Sequence, residues 1–236
     1  MYCTTLALLT AMIGCFCLLG GAEETPTKPT KETVVLLHGM GGNRATMLVL
    51  KKRLEKAGFA TLNFPYATYN KDLDQLSDAL HAFVKDKVKT ERYHFIGHSL
   101  GNIIVRNGFK KEYPPGLGRV VMLGPPNQPA KMAKRFSGNP LYRWICGDSG
   151  QKLGSELFYQ DLPIPTVEFG IIAADRGQRI TFKEANDGMV SVKNTKLKGM
   201  KAWILLHHTH VFLMNGKDTA RHCIEFLRAG TFDLAE

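Results

Sequence analysis

The chain has 236 residues, with 31 Lys or Arg against 21 Asp or Glu, for a formal charge of +10. That length suits one domain, or at most two small ones. With 44% hydrophobic and 9% aromatic residues the composition builds a core and excludes a disordered chain. Five cysteines are too few for a disulfide scaffold, and no apolar stretch of the body is long enough to span a bilayer.

The first 22 residues hold no Asp, Glu, Lys or Arg. Thr4 to Leu19 is almost continuously apolar and ends in Leu19-Gly20-Gly21-Ala22 before Glu23-Glu24. An apolar run, small residues and then polar chain form the pattern of a secretory signal, with an uncleaved N-terminal anchor as the alternative. Met12-Ile13-Gly14-Cys15 faintly resembles a lipoprotein box, although the residues after Cys15 stay apolar. In each case the chain is expected to be exported: periplasmic, secreted or anchored. Glu23 to Lys31 then reads as a polar, Pro-containing linker.

With Cys3, Cys15 and Cys17 in the leader, Cys146 and Cys223 remain. They read as two buried small hydrophobes, or as a pair if the fold brings them together. No Cys or His group has metal-ligand spacing, so no metal is expected. The whole +10 falls after the leader. A solvated basic surface explains it, or attraction to anionic lipid or cell-wall polymer. No nucleic-acid-binding motif accompanies the charge.

Strand and helix then alternate. Thr33 to Leu37 is a continuous apolar run fit for a strand buried on both faces. Arg44 to Ala57 has helical apolar spacing and stops at Gly58; Phe59 to Phe64 reads as a strand; Lys71 to Lys87 is an amphipathic helix. Tyr93 to Ile96 is a strand, Leu100 to Tyr113 a helix stopped by Pro114-Pro115, and Arg119 to Leu123 a strand. Asn127 to Pro165 breaks the rhythm and reads as a lid-like insert. Thr166 to Ala173 and Lys201 to Leu206 are strands, and Val211 to Leu227 is the closing helix. This alternation predicts an α/β domain over residues 32–236, with a mostly parallel sheet and helices on both faces.

Gly97-His98-Ser99-Leu100-Gly101 matches G-x-S-x-G between a predicted strand and a predicted helix. The spacing is steric: Ser must project from a sharp turn at the end of the sheet, and a Cβ at either flank would strike backbone. The helix N-terminus behind Ser99 offers unpaired N–H groups and a positive dipole end. Earlier, His38-Gly39-Met40-Gly41-Gly42 follows the first strand and leaves its backbone open to a ligand. It is not a Walker A loop, because no Gly-Lys-Ser/Thr follows. In acyl transfer the N–H groups of Met40 and Leu100 would hold an oxyanion, with His38 structural rather than the base.

HGMGG after the first strand, GHSLG after a later one, and downstream Asp and His resemble the α/β-hydrolase superfamily, especially its small bacterial lipases and esterases. The likeness runs over residues 32 to 230. It implies the α/β-hydrolase fold, a Ser-acid-His triad in that chain order, carboxylic ester hydrolysis and no cofactor. Asn186-Asp187-Gly188-Met189-Val190 is similar to the turn that carries the acid in many bacterial lipases, which points to Asp187; Asp175 is the competitor and Asp148 a third candidate. His210-Val211-Phe212-Leu213-Met214 is similar to the frame that carries the base in small esterases. His210 is therefore the expected base, His208 the runner-up, and His207 the end of the strand.

The insert falls where this superfamily places lids and substrate walls. Phe136, Tyr142 and Trp144 are its candidate substrate-binding residues, suited to a small apolar or lipid ester. An amidase, thioesterase or acyltransferase on the same triad is the alternative chemistry. A non-catalytic lipid- or wall-binding protein would have no need for all three triad residues.

Overall fold

A computed structural model describes residues 31–67, 72–128, 156–178 and 183–234. Six strands form one sheet: β1 (Thr33–Leu37), β2 (Ala60–Asn63), β3 (Tyr93–His98), β4 (Leu117–Leu123), β5 (Phe169–Ala174) and β6 (Ala202–Leu206). Their order is β2-β1-β3-β4-β5-β6, and every pairing is parallel. The chain begins inside the sheet, steps outward to β2, then crosses back past β1 and continues to β6. The direction of travel reverses between β1 and β3, so their carboxyl ends are the switch point of the sheet, the place where open α/β sheets bind ligands.

Period-2 alternation divides the strands between two cores. Val35, Leu37, Phe95, Val120 and Met122 face one side and meet α2 (Leu73–Lys87) and α3 (Leu100–Gly108). Val34, Leu36, Ile96, Val121 and Leu123 face the other, with α1 (Leu48–Lys56) and α5 (Lys217–Ala229). Burial on both faces is why β1 and β5 read as near-continuous apolar runs, and why the two histidines of β3, His94 and His98, are buried with it.

Several element boundaries differ from the sequence expectation: β5 starts at Phe169 rather than Thr166 and β4 at Leu117 rather than Arg119, and three further differences have a visible cause. Arg44 to Met47 is a 3-10 turn, capped by the Asn43 side chain, and the α-helix starts at Leu48. The helix after Ser99 ends at Gly108, not Tyr113, because Tyr113 folds back on it. The Tyr113 hydroxyl donates to the Val105 carbonyl at 2.9 Å, and a Cβ at Gly108 would lie 1.9 Å from that hydroxyl oxygen. The closing helix is split: His210–Asn215 is a 3-10 turn, Gly216 is extended (φ −61°, ψ 138°), and α5 follows. Arg53 Nη1 donates to the Asn215 and Gly216 carbonyls at 2.6 and 2.7 Å, at the break between the two elements.

Of the 127–165 insert, Asn127, Gln128 and the stretch from α4 (Glu156–Asp161) onward are described; residues 129–155 are not. The expected leader and linker lie outside the described residues except for Lys31.

Candidate active site

The loop after β1 is built by its neighbours. Gly42 N–H donates to the Gly39 carbonyl at 3.2 Å, which closes a tight turn with Gly41 at φ 68°. That turn bond leaves the Met40 N–H outside it. The loop is fastened from the segment after β2: Tyr66 stacks on the His38 ring at 4.1 Å, and its hydroxyl donates to the His38 carbonyl. His38 Nδ1–H donates to the Gly39 carbonyl at 2.8 Å, and burial lowers the pKa of the ring. His38 is thus neutral and engaged within its own loop. A Cβ on Gly39 would stand 2.7 Å from His98 Nδ1 and 3.2 Å from Ser99 Cβ, so this loop lies directly against the turn that carries Ser99.

Ser99 has φ 50° and ψ −114° and is the one non-glycine with positive φ among the described residues. A non-glycine held there stores about 1–3 kcal/mol of strain, which the surroundings must overcome. They do so through two backbone bonds: Ser99 N–H donates to the Leu123 carbonyl, and Asn102 N–H donates to the Ser99 carbonyl, both at 3.0 Å. The flanking glycines are required. A Cβ on Gly97 would meet Asn102 Oδ1 at 2.4 Å, and one on Gly101 would meet the Leu37 carbonyl at 2.7 Å. Leu100 opens α3, so its N–H has no partner within the helix.

Asp187 sits in a turn that Gly188 makes with φ 102°. Its carboxylate oxygens are divided. Oδ1 accepts from the Met189 and Val190 N–H groups at 2.9 and 2.8 Å, and Oδ2 lies 2.6 Å from His210 Nδ1. Asn186 holds the turn from beneath: its Oδ1 accepts from Gly188 N–H at 2.9 Å, and its Nδ2 donates to the Glu184 carbonyl at 2.8 Å. His98 Nε2–H donates to the His210 carbonyl at 3.0 Å, with the two rings 4.7 Å apart. Burial holds the His98 pKa well below the usual histidine value.

These elements converge on the end of β4. Leu123 accepts the Ser99 N–H, and a Cβ on the next residue, Gly124, would stand 3.2 Å from both Asp187 Oδ2 and His210 Nδ1. Ser99, Asp187 and His210 are 2%, 2% and 5% exposed, so the group is shielded from bulk water. The competing residues pair elsewhere. Asp175 meets His207 at 2.8 Å, where the His207 side chain is 76% exposed, and His208 meets Asp218 at 2.8 Å. Each histidine of HHTH has its own carboxylate, and only His210 and Asp187 form a buried pair. Asp148 and the expected wall residues Phe136, Tyr142 and Trp144 lie outside the described residues, as does Cys146. Cys223 is a free thiol buried between α5 and the sheet. Among the described residues no group of three or more His, Cys, Asp or Glu is placed to hold a metal ion.

Sequence reasoning missed two supporting side chains, Tyr66 and Arg106, and placed Asn186 in the motif without a role. Arg106 reaches from α3 to both roots of the insert. Its Nη1 donates to Asn127 Oδ1 at 3.1 Å, Nη2 to the Leu162 carbonyl at 2.9 Å and Nε to the Pro163 carbonyl at 3.0 Å. Asn127 in turn donates to the Thr195 carbonyl at 2.8 Å. The only sequence signal is a long charged residue on a helix that is buried on every side.

A family model described as "Putative serine esterase (DUF676)" matches residues 27–115, which include both glycine-rich motifs. No curated protein matches the sequence. Many solved structures share the fold. A Listeria innocua protein is 16% identical over 84% of this chain and 94% of its own, with a TM-score of 0.56. Carboxylesterase CesB of Bacillus subtilis is 14% identical over 86% of this chain and 85% of its own, at 0.52. Esterase B of Lactobacillus rhamnosis, in a structure with a tributyrin phosphonate, is 13% identical over 86% and 75%, at 0.59. At these identities the likeness shows the α/β-hydrolase fold.

Proposed function

We propose that this chain, which has the α/β-hydrolase fold, is a serine hydrolase that cleaves carboxylic esters through an acyl-enzyme on Ser99. The observation that carries the reading is the buried Asp187–His210 pair at 2.6 Å, set at the end of β4, the strand whose Leu123 carbonyl accepts the N–H of a serine held at φ 50°. Asp187 engages His210 through Nδ1–H, so Nε2 is the unprotonated nitrogen and the base. It takes the Ser99 proton as Oγ attacks the ester carbonyl. Asp187 then stabilises the imidazolium without itself becoming protonated.

The carbonyl oxygen becomes an oxyanion, held by the N–H groups of Met40 and Leu100, each worth about 2.7–4 kcal/mol in sites of this kind. His210 returns its proton to the departing alcohol as the ester bond breaks. Water, activated by the same nitrogen, attacks the acyl-enzyme and releases the acid.

An ester is favoured over an amide or thioester by the serine esterase model over residues 27–115 and by the esterase names of structural neighbours. The acyl group is assigned to the insert, with Phe136, Tyr142 and Trp144 as its wall, and the apolar leader to export. No cofactor is required by this chemistry.

The test is hydrolysis of p-nitrophenyl esters from acetyl to palmitoyl by the wild type and by Ser99→Ala. The proposal expects turnover that Ser99→Ala abolishes, with the best chain length separating esterase from lipase. Folded wild type that cleaves no ester in the series would overturn it.

A further inference from the structure

We propose that the turn after β6 and the outward face of the Arg44–Lys56 segment form a docking surface for an anionic lipid bilayer. Val211 and Phe212 are 60% and 62% exposed, although Leu213 and Met214 of the same turn are buried. Leu48 and Val49 are 43% and 41% exposed between buried Met47 and Leu50. The two elements are neighbours: Leu213 and Met214 share one core with Met47, Leu50 and Leu54, and Arg53 binds the carbonyls at the end of the turn. Single exposed apolar residues are ordinary, but four on adjoining turns, beside a site, mark an interaction surface.

Charge selects the occupant. Helix α1 reads LVLKKRLEK, with four Lys or Arg and one Glu, and its one acid, Glu55, is engaged by Lys51 and Thr61. Lys52 is exposed and lies one turn along the helix from Leu48 and Val49, on the same stripe. On neighbouring α5, Lys217 and Arg221 are exposed, while Asp218 is paired with His208. The chain as a whole carries +10. A second copy docking face to face would bring these cations together and be repelled. An anionic bilayer accepts both features, with apolar tips at the headgroup–acyl boundary and Lys and Arg at the phosphates.

The placement has a consequence for access. Phe212 is two residues from His210 at the carboxyl edge of the sheet, so docking turns that edge toward the lipid. Docking itself needs no catalysis, and its test is therefore independent of the hydrolase reading.

The experiment is co-sedimentation of the full chain with vesicles of phosphatidylcholine alone, or of phosphatidylcholine with about one third phosphatidylglycerol. Wild type is expected to bind the anionic vesicles about tenfold or more tightly. The preference should weaken as salt rises from ~0.1 M to ~1 M. Leu48→Ser with Phe212→Ser should bind anionic vesicles about tenfold less, and Ser99→Ala should bind as wild type. Lys52→Glu with Lys56→Glu, a second pair at exposed positions, should lose the preference for anionic lipid. Equal binding by wild type and both double variants, equal wild-type binding to the two vesicle types, or no vesicle binding at all would each overturn the proposal.

Discussion

Asp187 and His210 are tied twice. The carboxylate Oδ2 lies 2.6 Å from His210 Nδ1, and the His210 backbone N–H donates to the Asp187 carbonyl at 2.8 Å. The second bond fixes the start of the 3-10 turn relative to the acid, so the imidazole is held by both side chain and backbone. This differs from the Asp175–His207 pair, whose histidine is open to solvent. Asp187→Asn should therefore lower kcat by on the order of 10⁴, the scale seen when the acid of such a triad loses its charge. Asp175→Asn should leave kcat within about threefold, because an exposed pair contributes little. Steady-state kinetics on a soluble ester compares the two; the reverse ranking would assign the acid to Asp175.

Tyr66 fastens the loop that carries Met40 by stacking on His38 and donating to its carbonyl. Tyr66→Phe keeps the ring and removes only the donor. If that bond holds the oxyanion loop in register, kcat should fall about five- to tenfold, the worth of one hydrogen bond. KM should hardly change if, as proposed, the loop acts on the transition state. A rise in KM at constant kcat would mean that Tyr66 serves substrate binding instead.

Arg106 spends its guanidinium on Asn127, Leu162 and Pro163, the two roots of the insert. Arg106→Met would leave those acceptors buried and unpaired, and should destabilise the protein by about 3 kcal/mol in urea unfolding. Arg106→Lys should recover only part of this, because an ammonium cannot reproduce the planar fork. A loss below about 1 kcal/mol for Met would show that the roots are held by other contacts.

Acid sensitivity follows from the buried histidines. Burial lowers the pKa values of His98, His38 and His94. Below pH ~6.5 the unfolded chain takes up protons that the folded chain refuses, so stability falls as pH falls. The slope is about 1.4 kcal/mol per pH unit for each such histidine until its folded pKa is reached. His98, with the largest displacement, should contribute over the widest range. Urea unfolding between pH 7.5 and 5.5 should show this loss in wild type and a smaller one in His98→Gln, which keeps an N–H for the His210 carbonyl. Equal slopes would remove His98 from the explanation.

The sheet was legible because β1, β5 and the second half of β4 are buried on both faces and so read as apolar runs. Ser99 was legible because its strained turn admits only glycine at 97 and 101, and the pattern survives in sequence. Asp187 and His210 were reached by resemblance, since the 2.6 Å contact joins residues 23 apart and leaves no periodic trace. The helix ends at Gly108 and Gly216 were missed because tertiary partners, Tyr113 and Arg53, meet the chain there. Tyr66 and Arg106 were invisible for the same reason: most of their hydrogen bonds go to backbone carbonyls, which every residue has.

The most direct measurement is intact mass after treatment with a fluorophosphonate, which traps an activated serine covalently. The account predicts a single adduct on wild type, mapped to Ser99 by peptide sequencing and absent from Ser99→Ala. His210→Ala should label far more slowly. No adduct on folded wild type, or an adduct that persists in Ser99→Ala, would contradict it.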